Sequence, residues 1–328
     1  MSQRKLTYEL IISYAEHRTQ RLLHFYPVHL NDNEPTMSIE LDSEQIEQIL
    51  QGISIPPQPQ IMVDLQMEQF QPTPDLGRIA DLIAQDVGLA GTMLKIVNSP
   101  AYGLANNITS VTQAVMLLGI KSVVNIINGI SIRGELSDED IVRLNNFWDA
   151  SMDIASVSLH IAKQIGMPAP EDAYSLGLFH NAGIVLMNKR FPDYMDIMQS
   201  AYSGEFERII DAENRHFRTN HAVIGYYTAR SWRLPKIICE AISEHHNIAS
   251  LFSRDSVSEA PKKTLLAVLK IAEFICGNAK VLGRCDEDFE WHQIKRYIYE
   301  FTGLGEYDIE ALIDDFKEMG IASVITNH

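Results

Sequence analysis

The sequence predicts an all-α protein built in two lobes. Apolar residues recur at helical spacing in nearly every segment, and alternation of the kind that makes strands is rare. A polar stretch, Arg133-Gly-Glu-Leu-Ser-Asp-Glu-Asp140, divides two series of such segments, as expected where one packed helical layer hands over to another. No internal repeat, low-complexity tract or glycine-rich phosphate loop interrupts either series.

The elements follow in order. Residues 1 to about 50 give two helices, near 5–24 and 43–51, around the polar link Asn31-Asp-Asn-Glu-Pro35. A proline-rich, non-helical entry, Ile55-Pro-Pro-Gln-Pro-Gln60, comes next. Thr73-Pro74-Asp75 reads as a helix start, with a hydroxyl cap, proline at the first position and an acid in the first turn. Its apolar face is Leu76, Ile79, Ala80 and Ile83, and a second helix near 89–98 carries Leu89, Met93, Leu94 and Val97. Ser110-Val-Thr-Gln113 forms a capping box for a helix closed by Gly119, and a very apolar helix fills 121–132. In the second series, helices are expected near 146–165, 172–188, 204–215, 218–232, 235–246 and 262–278, with an acidic pair at 290–300 and 306–319.

Composition narrows the functional classes. With 328 residues and 46% apolar content the chain can bury a sizeable core. No run approaches the roughly 18 apolar residues of a membrane helix, and the start, Met1-Ser-Gln-Arg-Lys5, lacks a signal-peptide core. Cys239, Cys276 and Cys285 are scattered and odd in number, which argues against a disulfide frame or a zinc ribbon and favours a cytoplasmic setting. A formal charge of −16 disfavours nucleic acid, whose binding depends on cationic neutralisation of phosphates. Neither nucleic acid nor a membrane is therefore an expected partner.

The histidines carry what chemistry the chain advertises. Gly177-Leu-Phe-His-Asn-Ala-Gly-Ile-Val-Leu-Met187 reads as one apolar helix with the polar pair His180-Asn181 in its middle. A buried imidazole or amide without a partner costs a few kcal/mol, so both must be held. A His-Asp pair there would suit a divalent cation, whereas Asn is a weak neutral ligand. His221 opens a helix, His245-His246 ends another, and Glu273 is a lone acid in an apolar helix. These residues could converge in a bundle core in the manner of helical metal sites, or each could be a satisfied core residue. His160, grouped with Asp153, Ser156 and Lys163 opposite Ile154, Val157, Ile161 and Ile165, is expected on the solvent face.

Several of these pieces stand in a familiar order. Ile55-Pro-Pro-Gln-Pro59, Asp86, Leu94-Lys-Ile-Val-Asn-Ser-Pro-Ala-Tyr-Gly103, Ile108-Thr-Ser110 and Gln113-Ala-Val-Met-Leu-Leu-Gly119 resemble the HDOD family of bacterial signalling proteins, the HD-related output domains. The likeness runs from about Ile53 to His246 and less firmly to Ala279. It implies an N-terminal extension over 1–50 and an HDOD domain over 51–260. That domain divides into a first lobe at 51–135 and an HD-like lobe at 136–280, which takes in the helix after 260. An acidic helical segment follows at 281–328.

The second lobe resembles the HD phosphohydrolases, which bind metal through a first His, a His-Asp pair and a later Asp. Here Trp148-Asp-Ala-Ser151 puts Ala150 at the first position, His180-Asn181 replaces the pair, and Ile184 stands where a Lys often follows. His221 and His245-His246 match further histidines of the relatives that cleave cyclic di-GMP, and Glu273 falls near the final Asp. Two ligands and one negative charge are thus missing, and metal-assisted cleavage needs the cation to activate water and clamp phosphate. The resemblance therefore implies a protein without catalytic residues or a resident cofactor, at most catching an adventitious divalent metal, and acting on signalling proteins through protein contacts, with a homodimer allowed. The competing readings are a metal-dependent phosphohydrolase using His180, His221, His245, His246 and Glu273, and a receptor that binds a nucleotide messenger without cleaving it.

Overall fold

A computed structural model describes residues 43–56, 58–99, 102–104, 107–131, 145–254 and 256–327. The helix expected near 5–24 and the connection at 133–140 lie outside them. All regular structure among the described residues is helical. The first series comprises Ser43–Leu50, Gln60–Gln69, Leu76–Ala84, Val87–Val97 and Val111–Ser131. The Leu76 helix is capped by Asp75 itself, whose carboxylate accepts from the Gly77 and Arg78 N–H groups, so the acid rather than the Thr73 hydroxyl does the capping. Asp86 does the same for the next helix by accepting from Leu89 N–H. Asn98 closes the loop beyond it, donating to the Ile108 carbonyl and accepting from its N–H, both at 2.7 Å. Gly119 takes φ 73° and ψ 165°, a conformation open to glycine, and kinks the 111–131 helix where the sequence predicts a break.

The second series begins with Asn145–Gln164 and includes Ile209–Phe217, His221–Ser231, Lys236–Glu244 and Ala260–Cys276. One expected element differs. The helix predicted over 172–188 is two helices, Pro170–Phe179 and Ala182–Arg190, because the backbone leaves helical values at Asn181 (φ −100°, ψ 10°). The break turns Gly183 onto the helix that His221 opens, so closely that a Cβ on Gly183 would lie 2.0 Å from the His221 carbonyl oxygen. Helices at Gln60–Gln69, Tyr194–Ala201 and Ala322–Asn327 are additions to the sequence reading.

The two series share one continuous apolar core. Trp232, fully buried at the end of the His221 helix, donates from Nε1 to the Pro56 carbonyl at 2.9 Å, fastening the proline-rich entry to the second lobe. Helices Phe289–Thr302, Glu306–Glu318 and Ala322–Asn327 pack against the Ala260–Cys276 helix. They also correct the reading of His160. Its face is covered: the ring meets Phe316 edge-on at 5.3 Å, Ser156 is buried, and Asp153 accepts from Ser323 N–H at 3.0 Å. No helix among the described residues is long and apolar enough to cross a membrane.

Candidate functional site

The break at His180-Asn181, the start of the His221 helix and the end of the Lys236–Glu244 helix meet around one point. Asn220 caps the His221 helix by accepting from Val223 N–H at 3.0 Å, which sets His221 in the first turn facing inward. His221, His245 and His246 form a group whose ligand atoms all lie within 4.8 Å of one another. The His221 Nε2 atom stands 3.3 Å from His245 Nε2 and 3.1 Å from His246 Nε2. His180, His221 and His245 are 0% exposed, and His246 and Glu273 only 4%.

Each ring is oriented from its other nitrogen. His221 Nδ1–H donates to Glu213 Oε2 at 2.7 Å, and His246 Nδ1–H to Glu290 Oε1 at 2.5 Å. His245 Nδ1–H donates to the Ile242 carbonyl at 2.6 Å. Such bonds fix the ring planes and turn each Nε2 toward the centre. Burial, the neighbouring imidazoles and Lys270 hold His245 and His246 well below the usual histidine pKa, so both are neutral near pH 7.

His180 is arranged differently from the others. Its Nδ1–H donates to the Gly177 carbonyl at 2.8 Å, and Nε2 stands 3.2 Å from Glu273 Oε1 without hydrogen-bond alignment. Its ring meets His245 edge-on at 5.4 Å. Asn181 is buried beside it, and its Oδ1 has no partner among the described residues. The expectation that both members of the pair are hydrogen-bonded fails for that oxygen. A buried acceptor of this kind costs about 1–3 kcal/mol unless something occupies its site.

Charge at the centre comes from side chains that periodicity does not single out. Glu213, fully buried, also accepts from Tyr194 OH at 2.6 Å and from the His221 N–H at 3.1 Å. Lys270, 2% exposed, spans Glu273 Oε2 at 2.8 Å and Glu290 Oε2 at 3.0 Å. Asn278 Nδ2 donates to Glu273 Oε1 at 2.9 Å. Burial alone would raise the Glu273 pKa, but Lys270 and His180 outweigh it and hold the carboxyl well below its ordinary range. Burial likewise opposes the charge on Lys270, and Glu273 and Glu290 more than restore it. Glu213, Lys270 and Glu290 are the residues that the sequence reading missed. Glu213 had a usable signal, a lone acid in the Ile209–Phe217 helix eight residues before His221.

Of the sequence-derived positions, the structure therefore brings together His180, His221, His245, His246 and Glu273. Ala150 is buried on the Asn145–Gln164 helix and offers no ligand atom, and Ile184 is fully buried with no phosphate-binding group.

Helices of this order around such a centre define an all-α domain of the HD-related type. The HDOD domain pattern matches residues 55–248, and the chain belongs to the HDOD family. It resembles a structure of an HDOD domain protein of unknown function from Geobacter sulfurreducens, with 22% identity and a TM-score of 0.58 over 84% of this chain and 92% of that one. A protein from Shewanella amazonensis SB2B whose name proposes a phosphohydrolase gives 18% identity and the same TM-score, over 86% and 98%. At these identities the likeness is one of fold. An uncharacterized protein of Treponema pallidum (strain Nichols) is 28% identical over 198 residues, which is 59% of this chain and 38% of the relative's length.

Proposed function

We propose that this chain is a non-catalytic regulatory protein that acts by binding other signalling proteins. The observation carrying the reading is the complete burial of the histidine cluster. A phosphodiester must touch the ion or the water that attacks it, and side chains 0–4% exposed give it no approach. The side chains at the positions that distinguish the hydrolases agree: Ala150 and Asn181 cannot supply an imidazole and a carboxylate. The only ammonium beside the cluster among the described residues, Lys270, is engaged by two glutamates. The setting is proposed to be the bacterial cytoplasm.

One observation favours the competing hydrolase reading, namely the convergence of three imidazoles on a point. Two assays separate the readings. Tagged protein recovered from its own cells should bring down a reproducible partner that a competitor copy displaces. Cyclic di-GMP incubated with the protein and manganese, iron or zinc should survive unchanged. Turnover above about 1 per second that vanishes in His245→Ala would replace the proposal with the hydrolase.

A further inference from the structure

Two lysines are buried on the Ala260–Cys276 helix, and their surroundings differ. Lys270 is held by the carboxylates of Glu273 and Glu290. Lys263, two turns and about 10 Å before it along the helix, is 5% exposed. Its ammonium donates to the Arg254 carbonyl and meets no carboxylate among the described residues. The adjoining Lys262 faces the Lys236–Glu244 helix instead and is bound by Glu244 at 2.7 Å. Helical side chains lean toward the N-terminus, which carries Lys263 to the wall of a cavity of about 360 Å³. Helices Ile248–Phe252, Ala260–Cys276 and Phe289–Thr302 bound that cavity. Phe252 and Phe301, edge to face at 5.2 Å, make its apolar side with Val257, which is 74% exposed. Arg254 brings a guanidinium that reaches the Ser250 hydroxyl at 3.4 Å and no carboxylate among the described residues. Ser256 adds a hydroxyl, and none of the described residues lining the cavity is acidic.

We propose that this cavity binds a small organic monophosphate, a phosphate carried on one flat ring system as in a nucleoside monophosphate. An ammonium and a guanidinium without carboxylate partners on one wall call for an anion. Phosphate suits them better than carboxylate, because its three terminal oxygens can meet the lysine, the planar fork of the arginine and a hydroxyl at once. The phenylalanine pair offers a ring the offset or edge contacts that aromatic groups favour. The volume lies near the lower end of the roughly 300–1,000 Å³ range of small-molecule sites, which suits one ring and one phosphate and not a dinucleotide. Ala260 also lines the cavity, so the positive end of a 17-residue helix adds to the attraction. The chain's formal charge of −16 repels anions at long range, but salt screens that repulsion beyond about 8 Å and leaves the cations of the wall to decide. The site is separate from the histidine cluster, yet the same two helices supply Lys263 and Phe301 here and Lys270 and Glu290 there. An occupant would therefore brace the helices that carry the Lys270–Glu290 pair. The proposal goes beyond the non-catalytic reading and does not depend on it.

Isothermal titration calorimetry of the full-length protein with AMP and GMP tests this, beside adenosine and inorganic phosphate. The expected result is one site per chain with a Kd below about 1 mM. Adenosine and phosphate should each bind at least about tenfold more weakly, since each keeps only part of the contacts. Arg254→Gln changes an exposed side chain and threatens no core, and it should weaken AMP about tenfold. Lys263→Met should weaken AMP further, with a melting curve run alongside to show that it folds. Arg296→Gln, an exposed change on the Phe289–Thr302 helix outside the cavity, should leave AMP binding unchanged. No binding of AMP or GMP up to about 10 mM, undiminished binding in Arg254→Gln, or phosphate as tight as AMP would overturn the proposal. Cyclic di-GMP binding more tightly than AMP, and weakened by Arg254→Gln, would overturn it too. Each of these results would leave the non-catalytic reading standing, since that reading fails only on turnover.

Discussion

The first lobe and the second are both built of helices, but the second buries far more charge. Around Ile79, Ile83, Met93, Val97 and Val123 the first lobe buries aliphatic side chains whose spacing is plain in the sequence. The second lobe buries four imidazoles, two glutamates and two lysines, Lys263 and Lys270, beside the same continuous core. Aliphatic burial stabilises by area alone, at about 25 cal/mol per Å², and tolerates small changes. A buried ionic network gains only if every member is matched, because removing one partner leaves an uncompensated charge. The difference teaches that polar partners help to specify the second lobe's shape, whereas the first lobe relies mainly on volume.

That contrast can be broken most forcefully at Lys270. Lys270→Met strands Glu273 and Glu290 in the interior and should cost about 3–5 kcal/mol, read as a shift in a urea unfolding curve. Loss below about 1 kcal/mol would mean the carboxylates are solvated or protonated, and the lobes would then not differ in kind. Gly183→Ala comes next. Its Cβ would fall 2.0 Å from the His221 carbonyl oxygen, and forced separation of the two helices should cost about 3 kcal/mol, measured in the same way.

In the first lobe, Ile79→Val should cost only about 1 kcal/mol, a volume effect without electrostatic consequence. Asp75→Ala, which removes the cap on the Leu76–Ala84 helix, should cost a similar ~1 kcal/mol or less. Thermal melts of the two variants at low and high salt should agree, whereas the Lys270 variant should be salt-sensitive.

Acidity sharpens the comparison further. His245 and His246 have folded pKa values below their unfolded value near 6.5. The unfolded chain therefore takes up their protons first as pH falls. Their contribution to stability is complete above about pH 6.5 and is lost below it. Asp288 works the other way: burial and nearby Glu290 and Glu273 raise its carboxyl to about 6, so in the folded state it gains a proton on acidification. Two histidines outweigh one aspartate, and the urea midpoint should drop between pH 7 and pH 5. In His160→Ala, which leaves the cluster intact, the drop should persist.

The sequence was most informative where one rule acts alone. Helices at 111–131, 145–164 and 260–276 follow from apolar spacing, and Gly119 from its place at the end of a periodic run. His180, His221, His245, His246 and Glu273 were visible as polar interruptions of apolar faces. What could not be read was tertiary. The break at Asn181 answers to packing of Gly183 on a helix some forty residues away in sequence. The covering of His160 depends on helices beyond residue 300. Glu290 lies in an acidic stretch that composition assigns to solvent, yet its carboxylate joins Lys270 to His246. A charge's partner across the fold leaves no periodic trace.

The most direct test of the central claim is hydrolysis itself. Metal-supplemented full-length protein, assayed against cyclic di-GMP and a simple phosphodiester, should show no turnover approaching about 1 per second, because the imidazoles are sealed from substrate. Steady hydrolysis by the wild type, lost in His245→Ala and in His221→Ala while both variants remain folded, would contradict it.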